Sequence, residues 1–374
     1  VTTPPDADYP FRAVQGAAVS EIPVGPIHAG IIEPGHFRFQ VVGEEVLRLE
    51  ERLGYVHKGI EKLAEGRDVS GLLRLAGRVS GDSTVAHAWA AAQACERALS
   101  IEVPRRALLL RALACERERI ANHLGDVGAI CNDVGFAFAH MQFGRLREQW
   151  LRRNAEAFGH RLMMDWVVPG GVAGDLDAGL LQPMREDQAQ LADELGRLER
   201  ILLDNASLDD RLVGTGRLSR GDAEALGCLG YVGRASGLSE DVRHDQPYPP
   251  YDELPLRVPV REEGDVAARL YLRIDEMRVS LRLLHELLNR LQPGPVRVAC
   301  PLPGDEVEGL GRVEGWRGEV LAFVRLDAGG RVLRYFPRDP SWFNWPALER
   351  LIQDNIVPDF PVCNKSVNGS YSGV

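Results

Sequence analysis

No two cysteines of this chain are spaced as C-x-x-C. The six, Cys95, Cys115, Cys131, Cys228, Cys300 and Cys363, are scattered through 374 residues. That scatter excludes a disulfide-stapled secreted fold and a cysteine-based zinc or iron–sulfur motif. Reduced, mostly buried thiols in a cytosolic protein are expected instead. If electrons pass through, their carrier sits on another chain. No apolar run reaches the ~18 residues that a membrane-spanning helix needs. The first residues, VTTPPDADYPF, have neither the basic start nor the apolar stretch of a signal peptide. Basic residues are outnumbered, 44 against 54, for a net charge of −10, which excludes a general nucleic-acid role. Neither G-x-x-x-x-G-K-[ST] nor a strand–G-x-G-x-x-G–helix occurs, so nucleotide binding is unsupported. There is no fixed-period repeat and no low-complexity tract.

What is present is ordinary globular material, 45% hydrophobic and 26% charged, long enough for a large core or about two domains. Residues 1–24 are Pro-rich and read as irregular, with 1–20 a linker or trimmed junction. HFRFQVVGEEVLRLE (36–50) alternates and turns near Gly43, a hairpin pattern. GYVHKGIEKLAEG predicts a short helix closed by Gly66. From about 69 to 166 helix formers dominate. RRALLLRALACERERIANHLGDVGAI, preceded by Pro104, carries apolar residues at three- and four-residue steps. RLREQWLRRNAEAFGHRLMMDWV, 185–204 and 265–291 predict three more long helices, and together these suggest a bundle core. Residues 206–262 are loop-rich, and GEVLAFVRLDAGGRVLRYF (318–336) alternates on both sides of a turn at Asp327. A helix start is expected at DPSWFNW.

Polar residues collect in four places, and each has two readings. His28, Glu33 and His36 in GPIHAGIIEPGHF can bind a metal or relay protons, or simply bond to turn backbone. RVSGDSTVAHAWA holds Ser80, Asp82, Ser83 and His87. Neutral hydroxyls are weak ligands for soft metals. Ser83 and His87 share a helix face, yet G-x-S-x-G is absent, and a helix N-cap by Ser80 or Ser83 is the plainer reading. In ACERERIANHLGDVG, Glu118, Asn122 and Asp126 lie on one face, with Arg119 and His123 on the next. That stripe is a buried network or a solvated face. Arg317 in EGWRGEV aims into a cavity or sits on a surface turn.

Taken together, these places resemble the large subunit of group 4 membrane-bound [NiFe] hydrogenases and its relative, the 49-kDa-type subunit of respiratory complex I. GPIHAGIIEPGHFRFQVVGEEV is similar to the family's N-terminal hairpin, with its glutamate-containing E-x-x-H loop. RVSGDSTVAHAWA is similar to R-[IV]-C-G-I-C-x-x-x-H-x-x-A, EGWRGE to A-P-R-G-E, and NGSYSG to D-P-C-x-x-C. The similarity covers residues 21–374. It implies a mainly α fold: a helix-bundle core of hydrogenase large-subunit type, with small antiparallel hairpins toward both ends.

The departures matter as much. Ser80 and Ser83 stand where the first cysteine pair is expected, and Ser370 and Gly373 where the second is. A second register would place Cys363 and Ser366 there instead. Serine does not replace a soft, deprotonated bridging thiolate, and glycine offers no ligand, so no metal is expected in this chain. Glu33, His87 and Arg317 match family positions near that site, which implies a surviving polar cavity lined by Glu33, His36, Ser80, Asp82, Ser83, His87 and Arg317. The complex I relative binds a quinone headgroup there. Here His28 matches the first histidine of its loop, Ile32 replaces the second, and Ser83 stands where the quinone-bonding tyrosine falls. The resemblance implies a small partner subunit with the last iron–sulfur cluster, a 30-kDa-type subunit or fused domain, and membrane subunits that translocate ions. It also implies a cytoplasmic location, peripheral on the inner face of the membrane. Three functions follow as expectations: an electron-accepting, ion-coupled subunit without nickel; a non-catalytic scaffold; and, against the serines, an active hydrogenase.

Overall fold

The computed structural model describes residues 11, 12, 14–16, 18–29 and 32–373. The Pro-rich start is not irregular throughout. Strand β1 (Val19–Val24) pairs antiparallel with β2 (His36–Val42), which pairs with β3 (Glu45–Arg52) across the expected turn at Gly43. β1 therefore runs across the 20/21 boundary expected for the linker. Phe37, Phe39, Val41, Val46 and Leu49 carry the alternation into the core.

Two short helices follow, α1 (Ile60–Ala64) and α2 (Val69–Ala76), the latter capped by Asp68, whose side chain accepts from the Gly71 N–H. Helix α3 (Thr84–Ala98) is buried on nearly every side. The longest helix, α4 (Arg105–Asp133), begins directly after Pro104 as expected. Its 29 residues span about 43 Å through the middle of the molecule. Helix α5 (Ala137–Phe158) starts earlier than its apolar pattern suggests and stops at Gly159, whose φ of 75° breaks the helix that was expected to run on to 167. The chain then makes the small ladder β4 (Val167–Val168) and β5 (Gly171–Val172).

Helix α6 (Ala178–Leu203) packs on α5. The loop-rich stretch holds short helices: α7 (Ala206–Leu212), α8 (Arg220–Leu226), α9 (Gly230–Arg234) and α10 (Val242–Asp245). Helix α11 (Val266–Asn289), capped by Asp265, lies along α4. A three-stranded antiparallel sheet comes next: β6 (Val307–Gly315), β7 (Gly318–Leu326) and β8 (Val332–Arg338). The β7–β8 turn is the expected one, with the Asp327 carboxylate accepting from the Gly329 and Arg331 N–H groups. Strand β6 was not expected. Gly309 and Gly311 let it lie against the backbone of α3; a Cβ at Gly311 would stand 1.9 Å from the Ala90 carbonyl oxygen. Helices α12 (Ser341–Leu351) and α13 (Phe360–Val367) close the fold. The result is a helix-bundle core with small antiparallel sheets, the fold class the sequence implies. No described helix is long and apolar enough to cross a membrane.

Candidate functional site

Between α2 and α3 the chain runs through Ser80, Gly81, Asp82 and Ser83 in one tight turn. Neither serine caps α3. The first free N–H groups of that helix, on Val85 and Ala86, donate instead to the Glu118 carboxyl of α4, at 2.7 and 3.1 Å. This leaves both serine hydroxyls for other partners.

Those partners come from far along the chain. Trp316 and Arg317 form the two-residue tip between β6 and β7. Arg317 Nη1 and Nη2 donate to the two oxygens of Asp82 at 2.7 and 2.8 Å, and Nε donates to the Asn368 carbonyl at 2.7 Å. The indole of Trp316 donates to Ser83 Oγ at 3.0 Å, and Arg317 Nη1 lies 3.3 Å from the same oxygen. Ser80 Oγ donates to Asp82 Oδ1 at 2.7 Å, and Ser370 Oγ donates to Ser80 Oγ at 2.9 Å. Two short motifs 290 residues apart therefore meet hydroxyl to hydroxyl. The residues of the competing register stand apart from this contact. Cys363 and Ser366 lie on α13, where Ser366 Oγ donates to the Cys363 carbonyl and accepts from Arg269.

Arg317 is buried, with 5% of its side chain exposed, whereas 36% of the Asp82 side chain is exposed. The site thus has one edge open to solvent. Burial pushes the Asp82 carboxyl up, but the charge and hydrogen bonds of Arg317 more than offset this and hold it down at about 2. Glu118 goes the other way: burial raises its carboxyl to about 8, against the pull of the two backbone N–H groups. The polar stripe on α4 is therefore a buried network and not a solvated face. Asn122 donates to the Asp82 carbonyl at 2.7 Å, and Asp126 accepts from Asn368 at 2.7 Å and from Arg273 at 3.0 Å.

His87 lies beside this cluster, its Nε2 2.8 Å from Asp339 Oδ2, with both side chains fully buried. Burial raises the Asp339 carboxyl, but its hydrogen bond and charge interaction with His87, with Arg317 adding to them, bring it below its ordinary value. A Cβ at Gly373 would stand 2.8 Å from Asp339 Cγ. The N-terminal loop arrives from another side. His28 Nε2 is 3.3 Å from the hydroxyl of Tyr371, the neighbour of Ser370. Glu33 is exposed, and the His36 ring lies tilted against Phe11, with centroids 5.5 Å apart. Among the described residues neither Glu33 nor His36 hydrogen-bonds to the Ser80 cluster. The single cavity expected to be lined by all of these residues is therefore not the arrangement found: Ser80, Asp82, Ser83 and Arg317 close directly on one another, and the space behind Asp82 and Glu118 measures about 10 Å³.

Three partners escaped sequence reasoning: Asp339, Asn368 and Tyr371. Asn368 was marked by its place in NGSYSG, at the aspartate of D-P-C, and Tyr371 by lying between the two ligand positions of that motif. Nothing local marks Asp339 as more than a helix cap, a role it also fills by accepting from the Ser341 N–H at 2.8 Å.

The donor set does not fit a nickel–iron centre. Its members are three neutral hydroxyls, each already hydrogen-bonded, and a glycine, with a guanidinium pressed against one of them. No group of three or more His, Cys, Asp or Glu side chains is placed to hold a metal ion among the described residues.

Comparison with known proteins supplies the context. The family model for the respiratory-chain NADH dehydrogenase 49-kDa subunit matches residues 133–303, and that for nickel-dependent hydrogenases matches 58–125. The chain is 34% identical to formate hydrogenlyase subunit 5 of Escherichia coli (strain K12), covering 94% of this chain but 62% of that one. It is 32% identical to the carbon monoxide-induced hydrogenase of Rhodospirillum rubrum, covering 94% of this chain and 98% of the relative. It is 35% identical to the mitochondrial NADH-ubiquinone oxidoreductase 49 kDa subunit of Neurospora crassa, covering 95% and 80%. Among solved structures, a chain of the membrane-bound sulfane sulfur reductase, an archaeal respiratory membrane complex, superposes with a TM-score of 0.88 at 28% identity, covering 95% of this chain and 98% of that one.

Proposed function

This chain belongs to the family that joins the 49-kDa subunits of complex I to the large subunits of group 4 hydrogenases, and from that premise we propose that it is the electron-accepting, coupling subunit of a membrane-associated complex I-like oxidoreductase without a nickel–iron centre. Electrons arrive from an iron–sulfur cluster on a small partner subunit, and membrane partners translocate ions. The observation that carries this reading is the closed set Ser370–Ser80–Asp82–Arg317. In this reading it stands in for the family's metal site, with groups that hold protons and charge instead of soft metal.

The acceptor in this reading is a quinone-type molecule. Its ring approaches along the exposed edge of Asp82, the one member of the ion pair that solvent reaches. Arg317 then lies where a reduced, negatively charged oxygen is stabilised. Tyr371, whose hydroxyl burial pushes up to about 12, and His28, whose imidazole burial pushes down, supply neutral hydrogen-bond donors nearby. A second reading, a non-catalytic structural subunit, is favoured by the same tight closure. The assembled complex separates the two. Reduction of a quinone analogue that falls at least tenfold on Asp82→Ala supports the first, whereas unchanged turnover in that variant refutes it.

A further inference from the structure

Behind Trp316 lies a second cluster that the candidate site does not use. Helix α4 contributes Glu116, Arg119 and His123, α9 contributes Arg234, α10 and its cap contribute Asp241 and Arg243, α11 contributes Glu276, and β6 contributes Glu314. Each is at most 2% exposed. Arg234 is clamped between Glu276, 2.8 Å away, and Glu314, 2.9 Å away. Arg243 bridges Asp241 at 2.7 Å and Glu116 at 2.8 Å. Glu116 also lies 3.3 Å from Arg119 and accepts from Ser280 and Tyr251. The adjoining Asp126–Arg273 pair is closed on itself at 3.0 Å.

Four carboxyl groups, Glu116, Asp241, Glu276 and Glu314, face three guanidiniums, Arg119, Arg234 and Arg243. With every carboxyl ionised the cluster is one positive charge short, and an unbalanced charge at this depth is costly. The cluster must hold one further proton, and it has two places for it. His123 Nε2 sits 2.7 Å from Glu276, but His123 Nδ1 is buried without a hydrogen-bond partner among the described residues. A neutral ring donating through Nε2 leaves only a lone pair unmatched, whereas an imidazolium buries an N–H with no acceptor. Glu314 is the better place, because only its Oε1 is in an ion pair, while Oε2 accepts just the Val242 N–H, at 3.2 Å. It competes with Asp241, 3.5 Å from the same Arg234 nitrogen, and Asp241 has Arg243 as well. Glu314 also lines a surface cleft of about 340 Å³, together with Asp245, Arg312 and Glu319. Its own N–H donates to the Tyr248 hydroxyl, and its carbonyl lies 3.8 Å from Cys115 Sγ.

We propose that Glu314 is a proton-binding site that exchanges with solvent through this cleft and carries the proton that balances the buried cluster. Burial and the neighbouring Asp241 push its carboxyl up to about 7, against the pull of Arg234, and burial pushes His123 down. The site lies close behind the candidate centre: Glu314 is three residues from Arg317 on the same hairpin, and the His123 ring lies 6.0 Å from Trp316. Its role rests on the function proposed above: negative charge reaching the acceptor beyond Trp316 is balanced by proton uptake here.

Infrared difference spectroscopy of the full chain tests the site. A buried protonated-carboxyl band titrating at about 7 should vanish in Glu314→Gln and persist in Glu118→Gln, the other carboxyl that burial raises. A band unchanged by Glu314→Gln overturns the proposal. Should that variant not fold, nitrogen NMR of the wild-type histidines decides: a neutral His123 at neutral pH supports the proposal and an imidazolium there overturns it. In the assembled complex, Glu314→Gln should flatten the pH profile of acceptor reduction near neutrality. A lost band with an unchanged profile leaves the proton site standing and refutes its link to the proposed function.

Discussion

At the scale of single residues, the account rests on Asp82 and Arg317. Removing the Asp82 charge leaves a buried guanidinium without its counter-ion. Because Asp82 is 36% exposed, the cost is smaller than for a fully buried pair, about 2 kcal/mol. Asp82→Asn should therefore lower the unfolding free energy from urea titration at neutral pH by that amount. The pH dependence has a definite sign. The folded carboxyl titrates at about 2, below its ordinary 3.8, so its contribution is present above 3.8 and lost as pH falls through 2. Wild type and Asp82→Asn should converge in stability across that window, and a constant difference contradicts the pairing. Gly373 gives a second check. Any side chain there meets Asp339 at 2.8 Å, so Gly373→Ala should lower the thermal midpoint, at a cost of about 1–3 kcal/mol. Restoring a cysteine at that position disturbs the His87–Asp339 pair before it offers a ligand. At this scale Ser80, Asp82, Ser83, Arg317 and Ser370, all legible in the sequence as motif residues, meet in the fold. The sequence did not separate Glu33 and His36 from them, since a loop held by Tyr371 and Phe11 leaves no trace in residue spacing.

At the scale of elements, periodicity revealed what packing enforces. Helix α6 and the hairpins β2–β3 and β7–β8 show their buried stripes directly, while α4 and α11 are buried over long unbroken runs. Strand β6 is hidden in the sequence, because its glycines interrupt the alternation of a strand and serve as the contact surface for α3. The stop of α5 at Gly159 was overridden in the reading by the apolar residues beyond it. The close approach of β6 to α3 leads to a paired prediction. Gly311→Ala should cost about 3 kcal/mol or prevent folding, since the clash is with backbone. Gly144→Ala, on the exposed face of α5 with nothing within 4 Å, should raise stability by about 0.5–1 kcal/mol. Thermal unfolding of both variants checks the contrast, and a neutral Gly311→Ala contradicts the packing described.

At the scale of the whole molecule, two segments 290 residues apart are brought together to form one site. The turn before α3 and the loop after α13 meet at the tip of the β6–β7 hairpin, and the long α4 supplies the polar floor. Relatives of this architecture include subunit 5 of formate hydrogenlyase, the 49 kDa subunit of NADH-ubiquinone oxidoreductase and a chain of an archaeal respiratory membrane complex. At that meeting point this chain carries hydroxyls and a buried ion pair. The most direct measurement is the metal content of the intact complex, isolated from cells supplied with nickel. The account predicts nickel far below one atom per chain. One nickel bound per chain at Ser80 and Ser370 would contradict it.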